Sequence, residues 1–137
     1  MIVSVQGYVT YDTLGPYLNK KYLVSREFEN FNLAQMNDRC KKLGGYLFQP
    51  DNRIEGSYVA TFVKRLRGGG PFYVGLTDEE SEGRFYFYND KKRKYGIPWR
   101  WFQPDNWWNE DCVEIWTTGF NDRHCGKRGR YVCEIPV

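Results

Sequence analysis

The sequence predicts a single α+β domain, on three observations. Two segments in the first half carry helix-capping signals and helical apolar spacing. Four short strand-like runs dominate the second half. Between the last two pairs of strands lies a long stretch, residues 89–111, with few regular signals. Structureless connections beyond about 12–15 residues are uncommon in compact domains and usually carry function. The 137 residues suit one core and are too few for two full domains. With 41% hydrophobic and 27% charged residues, the chain is expected to fold rather than stay disordered. No apolar run approaches the roughly 18 residues of a membrane span, and no repeat of 20–50 residues is visible.

Each element follows in order. Residues 1–20 read as a polar, turn-rich lead-in, and 22–25 as a first short strand. Met1 to Pro16 lacks a basic n-region and is interrupted by Gln6, Asp12 and Gly15, so no signal peptide is read there and Met1 suits the start of a processed chain. Asn32 and Gln35 form an N-x-x-Q capping box, with Phe31 and Met36 at the staple positions. Leu33, Met36, Cys40 and Leu43 recur at helical spacing, so Cys40 is expected to point inward. Gly44 and Gly45 end this helix. Asn52 and Glu55 repeat the capping pattern, and Ile54, Tyr58, Phe62 and Leu66 predict the buried face of a second helix. Gly68-Gly69-Gly70-Pro71 stops it. That run follows a helix and precedes no Gly-Lys-Ser/Thr, so it is not a phosphate loop. Strands are expected at 72–76, 84–88, 112–116 and 130–135.

Charge and cysteines bound the chemistry. The net charge is +3, but residues 103–122 hold five carboxylates and no Lys or Arg, which leaves +8 on the rest. Such an acidic stretch calls for a counter-cation and repels nucleic acid. Four cysteines, Cys40, Cys112, Cys125 and Cys133, include no C-x-x-C pair, and there is one His, so two disulfides and an oxidising compartment fit better than zinc. Spacing alone leaves three pairings open. The long segment contains Gln103-Pro104-Asp105-Asn106-Trp107-Trp108-Asn109-Glu110-Asp111, and Asn121-Asp122 follows shortly before Cys125. Gln103, Asp105, Glu110, Asn121 and Asp122 supply carboxylate and amide oxygens, the donor mix that suits calcium with its 6–8 oxygen ligands.

Taken together, Trp101-Phe102-Gln103-Pro104-Asp105-Asn106, Glu110-Asp111-Cys112-Val113-Glu114-Ile115, Phe120-Asn121-Asp122 with Cys125, and Tyr131-Val132-Cys133-Glu134 resemble a C-type lectin carbohydrate-recognition domain. Tyr73-Val74-Gly75-Leu76 stands where that family has Trp-Ile-Gly-Leu, and Leu43-Gly44-Gly45 also fits. The resemblance runs from about Lys21 to the C-terminus, so residues 21–137 are read as the recognition domain and 1–20 as a segment before it.

The resemblance implies two helices packed on small antiparallel sheets, with disulfides Cys40–Cys133 and Cys112–Cys125. It implies that Gln103, Asp105, Glu110, Asn121 and Asp122 hold a sugar-binding Ca²⁺, with a cis peptide before Pro104. Gln-Pro-Asp resembles the galactose and N-acetylgalactosamine type, and Glu-Pro-Asn the mannose type. Trp107 falls where such members stack a ring on galactose, with Trp108 the adjacent alternative. Sugar contacts are thus assigned to Gln103, Asp105, Trp107, Glu110 and Asn121, and a second calcium to Asp78, Glu82, Asn106 and Asp111. Only five positions separate Asp105 from Glu110, and the glycine-rich segment that braces the stacking Trp in some galactose binders is absent.

The expected function is Ca²⁺-dependent binding of galactose- or N-acetylgalactosamine-bearing glycans by a secreted, extracellular domain that is not an enzyme. The alternative is a lectin-like domain that binds a protein or other surface independently of calcium. Phe48-Gln49-Pro50-Asp51-Asn52 repeats the sequence of residues 102–106, but it leads into a helix and reads as capping chemistry. Lys91-Lys92-Arg93-Lys94 reads as a solvated loop tip, with an anionic glycan or phosphate surface as the sharper reading. His124 reads as a surface residue beside the Cys125 disulfide, and lacks the partners of a catalytic group. No stalk or heptad array is seen, so a homo-oligomer for avidity is expected to use the domain surface or residues 1–19.

Overall fold

A computed structural model of the chain describes residues 2–6, 9–66, 69–79, 84–92, 111–116 and 119–137. Its elements in chain order are β1 (Ile2–Gln6), β2 (Val9–Tyr17), β3 (Lys20–Ser25), α1 (Leu33–Lys42), β4 (Tyr46–Leu47), α2 (Arg53–Val63), β5 (Phe72–Thr77), β6 (Tyr86–Phe87), β7 (Cys112–Trp116), β8 (Gly119–Arg123) and β9 (Arg130–Pro136). Hydrogen bonding orders the strands β1-β2-β3-β9-β5-β7-β8, with β4 on β9 and β6 on β5. The β5–β9 pair is parallel and the other pairs are antiparallel.

Strand alternation divides the core between two faces. Tyr22 and Val24 of β3, Phe72, Val74 and Leu76 of β5, and Val132 of β9 face one cluster together with Val59, Ala60 and Val63 of α2. Leu23, Tyr73, Tyr131, Cys133 and Ile135 face the other, with Leu33, Met36 and Cys40 of α1. One helix therefore covers each face. The continuous burial of β5 follows from this, because both its sides are covered.

Helix α1 begins where its local chemistry says it should. Gln35 N–H donates to Asn32 Oδ1 at 2.8 Å, and Asn32 N–H donates to Gln35 Oε1 at 2.9 Å. It ends at Leu43, after which Gly44 takes φ +99°. Gly45 is required for closeness: a Cβ there would sit 1.9 Å from the Glu134 carbonyl oxygen. The Cys40–Cys133 disulfide fastens α1 to β9, and Cys112–Cys125 fastens β7 to the turn after β8, so both pairings implied by the resemblance are present.

Several expectations are corrected. The segment read as a turn-rich lead-in supplies β1 and β2. β2 joins β3 along Tyr11↔Ser25 to Tyr17↔Lys20, and the Tyr11 and Tyr131 hydroxyls meet at 2.9 Å in the core. Gly15, Pro16 and Asp12 weaken its local strand signal, and pairing with β3 overrides them. The buried face of α2 is not Ile54-Tyr58-Phe62-Leu66. Ile54 is 72% exposed and Tyr58 36%, while Glu55, Gly56, Val59, Ala60 and Val63 face the sheet. The strand expected at 84–88 is confined to Tyr86–Phe87, and β4 and β8 were not expected.

Candidate functional site

The β7–β8 hairpin builds the described part of the site. Its register pairs Cys112 with Arg123, Val113 with Asp122, Glu114 with Asn121 and Ile115 with Phe120. Alternation puts Asp122 on the side of Val113 and Phe120, where it is fully buried, and Asn121 on the side of Glu114. Asn121 Nδ2 donates to Glu114 Oε2 at 2.7 Å, and Arg123 Nη1 lies 3.1 Å from the same oxygen. Glu114 is 1% exposed, so its charge is compensated by Arg123. Holding Nδ2 in this way fixes the Asn121 amide and leaves Oδ1 without a partner among the described residues. Oδ1 is the atom a hard cation takes.

The second calcium set is half visible. Asp78, fully buried just past β5, donates its N–H to the Asp111 carbonyl at 3.2 Å, and Thr77 Oγ1 donates to the same carbonyl at 2.6 Å. Asp78 and Asp111 are thus neighbours where β5 and β7 meet. Asp111 Oδ1 is shielded from solvent and has no hydrogen-bond partner among the described residues. A shielded carboxylate oxygen of this kind, beside a second buried acid, fits a cation better than it fits an apolar interior. Gln103, Asp105, Asn106, Trp107, Trp108, Glu110 and Glu82, with the peptide before Pro104, lie outside the described residues. Of the assigned ligands the structure therefore describes Asn121, Asp122, Asp78 and Asp111. Glu79 approaches Cys112 and Cys125, but those sulfurs are bonded to each other and offer no thiolate.

Glu114 is the residue for which the sequence reading gave no role. Its signal was there: within Cys-Val-Glu-Ile-Trp a period of two puts a carboxylate opposite Val113 and Ile115, on the face shared with Asn121. His124 is exposed, as expected.

The repeated Gln49-Pro50-Asp51-Asn52 is structural. Asn52 caps α2, taking the Glu55 N–H at 2.8 Å. Glu55 does not return the bond to Asn52 as a capping box requires. Its Oε1 takes the Asp51 N–H at 2.7 Å, and its Oε2 takes the Tyr22 hydroxyl at 2.6 Å. Lys20 reaches into the same place, 3.1 Å from Asp51, 2.9 Å from Glu55 and 3.1 Å from Glu134. Gln49 N–H donates to Glu134 at 2.7 Å. Burial pushes the Glu134 carboxyl up to about 7 despite the Gln49 bond and Lys20. Burial works against the charged form of Lys20, but Glu134 and Glu55 outweigh it and hold its pKa above the ordinary value. Burial and the Glu55 carboxylate likewise raise Tyr22.

Comparison with known proteins bears on this arrangement. Residues 29–135 match the family described as Lectin C-type domain. The chain is 32% identical over 141 residues to the tetranectin-like protein of Carcharhinus perezii, covering 98% of this chain and 83% of that one. It is 30% identical over 120 residues to Collectin-10 of Gallus gallus, covering 85% of this chain but only 42% of the relative. Among solved structures, the mouse scavenger receptor C-type lectin carbohydrate-recognition domain superposes with a TM-score of 0.76 at 26% identity, covering 89% of this chain and 92% of that one.

Proposed function

Because this chain belongs to the C-type lectin domain family, we propose that it is a secreted, Ca²⁺-dependent lectin that binds terminal galactose or N-acetylgalactosamine without catalysis. The observation that supports calcium is the shielded Asp111 Oδ1 beside buried Asp78, immediately before β7, the strand that pairs with β8 and its Asn121 and Asp122. Gln103, Asp105, Glu110, Asn121 and Asp122 would hold the sugar-binding ion, and Asp78, Glu82, Asn106 and Asp111 a second one. When bound, calcium supplies a centre to which two vicinal sugar hydroxyls each give a lone pair.

The chain's own groups complete the recognition. Each hydroxyl retains a proton and a lone pair; Asp105 and Glu110 accept the protons, and the Gln103 and Asn121 amides donate to the lone pairs. Asn121 gives one N–H to Glu114 and keeps the other for this purpose. The amide–Pro–acid order across Pro104 sets the donor and acceptor pattern that favours the galactose hydroxyl pair, and Trp107 stacks on the apolar face of the ring.

A single shallow site of this kind is expected to bind with a Kd of about 1 mM, or about 4 kcal/mol, so useful binding needs several sites on one assembly. The test is retention on a galactose column with Ca²⁺ and release by chelator, run beside a mannose column. Retention on galactose with chelator release is expected. Retention on mannose alone overturns the sugar assignment. Retention that survives chelator overturns the calcium mechanism and favours a calcium-independent binding surface.

A further inference from the structure

One row of side chains crosses the sheet and ends at the calcium donors of the β7–β8 hairpin. The register sets Tyr131 of β9 beside Tyr73 of β5, Tyr73 beside Glu114 of β7, and Glu114 beside Asn121 of β8. Register partners share a face of the sheet, so these four are successive neighbours across four strands. We propose that Tyr73 is a positioning residue for calcium: through Arg123 and Glu114 it sets the Asn121 amide before the ion arrives. This rests on the calcium reading of the site.

The contacts follow the row. Tyr73 is fully buried, and its hydroxyl donates to the Lys127 carbonyl at 2.8 Å, with the His124 carbonyl at 3.2 Å sharing the same proton. Those two carbonyls bracket Cys125 in the turn after β8. The Tyr73 oxygen also faces the Arg123 guanidinium. Burial raises the Tyr73 pKa, and the charge and hydrogen bond of Arg123 oppose that rise. Arg123 Nη1 reaches Glu114 Oε2 at 3.1 Å, and Asn121 Nδ2 donates to that same oxygen at 2.7 Å. The phenol thus holds the cation, the cation holds the carboxylate, and the carboxylate holds the amide.

Strand β8 needs such a brace. It stands at the end of the strand order, bonded to β7 alone. A strand paired on one side opens locally at lower cost than one paired on both. The Cys112–Cys125 disulfide limits how far its end can move. A single tether still lets the turn rotate about it, whereas bonds to the carbonyls of residues 124 and 127 fix the turn on both sides of the tether. The same bonds brace the fold, so the test needs a second buried phenol of equal kind. Tyr11 supplies it: its hydroxyl meets that of Tyr131 at 2.9 Å, between β2 and β9 and outside the hairpin.

The test compares Tyr73→Phe with Tyr11→Phe by calcium titration without sugar, urea unfolding, and amide hydrogen exchange of the metal-free chain. Each variant loses one buried hydroxyl, so both urea midpoints should fall. Calcium affinity should fall about 5–10-fold in Tyr73→Phe, less than in Glu114→Ala, and stay within about twofold of wild type in Tyr11→Phe. Exchange in residues 119–127 should quicken in metal-free Tyr73→Phe and not in Tyr11→Phe. The double variant Tyr73→Phe/Glu114→Ala should bind calcium like Glu114→Ala alone, because both act on Asn121 by one route. Unchanged calcium affinity in Tyr73→Phe, or equal losses in the two Phe variants, would reduce the hydroxyl to a support of the fold and overturn the proposal. Unchanged exchange in residues 119–127 would overturn its action before the ion arrives, and additive losses in the double variant would overturn the route through Glu114. A wild type that binds no calcium would overturn the calcium reading itself, whereas calcium binding equal in wild type and Tyr73→Phe overturns only the role of Tyr73.

Discussion

Replacing Lys20 with methionine tests how the chain tolerates a buried cluster of acids. Lys20 is the shared cation of Asp51, Glu55 and Glu134, and the last two are 0% and 1% exposed. Methionine keeps most of the side-chain volume and removes the charge. Stripping one partner from a buried ion pair costs about 3–5 kcal/mol. The chain can limit that cost by protonating a carboxylate. Starting from an ordinary pKa of 4.5, protonation costs about 4 kcal/mol at pH 7.5 and under about 1 kcal/mol at pH 5. Glu134 is the group that takes the proton, because burial already pushes it up to about 7, whereas Glu55 retains the Tyr22 hydroxyl and the Asp51 N–H.

The expected deficit for Lys20→Met is therefore about 3–4 kcal/mol at pH 7.5, shrinking to about 1 kcal/mol at pH 5. Urea unfolding with the disulfides intact reads it directly. With an m value of about 1.5 kcal/mol/M, the midpoint should fall by roughly 2–3 M at pH 7.5. A deficit under about 1 kcal/mol at pH 7.5 would mean the cluster is solvated and Lys20 dispensable. An equal deficit at both pH values would show that lost packing, and not charge, is what the substitution removes.

Glu134→Gln follows from the same cluster. A carboxyl whose folded pKa is raised contributes stability that is present below its unfolded 4.5 and is lost as pH rises through about 7. Wild type should therefore lose stability relative to this variant between pH 5 and 7.5, and a pH-independent difference in urea midpoints would refute it. Glu114→Ala frees the Asn121 amide and should weaken calcium binding by about 10–100-fold in a metal titration with no sugar present, while unchanged affinity would show that Asn121 needs no orienting partner. The double substitution Gln103→Glu, Asp105→Asn should move column preference toward mannose, and an unchanged sugar profile would assign the choice to Trp107 or to loop shape. Galactose binding should weaken toward pH 4 as protons compete with the ion for carboxylates, and undiminished retention there would count against direct coordination.

What the sequence revealed tracks how local the causes were. Helix α1 was legible because its capping box, apolar spacing and glycine stop all lie within residues 31–45. Helix α2 was legible as a helix, but not in its orientation. Two stripes compete on it. Ile54-Tyr58-Phe62-Leu66 is the more apolar, while the stripe that faces the sheet contains Glu55. A glutamate reads as a solvent residue until its partner is known, and that partner, Lys20, lies 35 positions away on β3. Strand β2 was missed for the same kind of reason, since its pairing with β3 outweighs the breakers in its own sequence. Both disulfides came from the family resemblance, because cysteine spacing left three pairings open.

The site divides along a similar line. Asn121 and Asp122 are adjacent in sequence, and a list of oxygen donors treats them alike, yet the β7–β8 register sends them to opposite faces of the hairpin. Asn121 meets a charged pair, Glu114 and Arg123, that orients its amide; Asp122 enters the apolar side with Phe120. A composition of ligands predicts which ion suits the chain, because hardness and donor type belong to the side chains themselves. It does not predict which donors are preorganised, because that depends on what lies across the strand. Loss of affinity in Glu114→Ala with all the assigned ligands intact would separate the two contributions: the ligand set would be shown to be insufficient by itself, and the hairpin register to be what makes it effective.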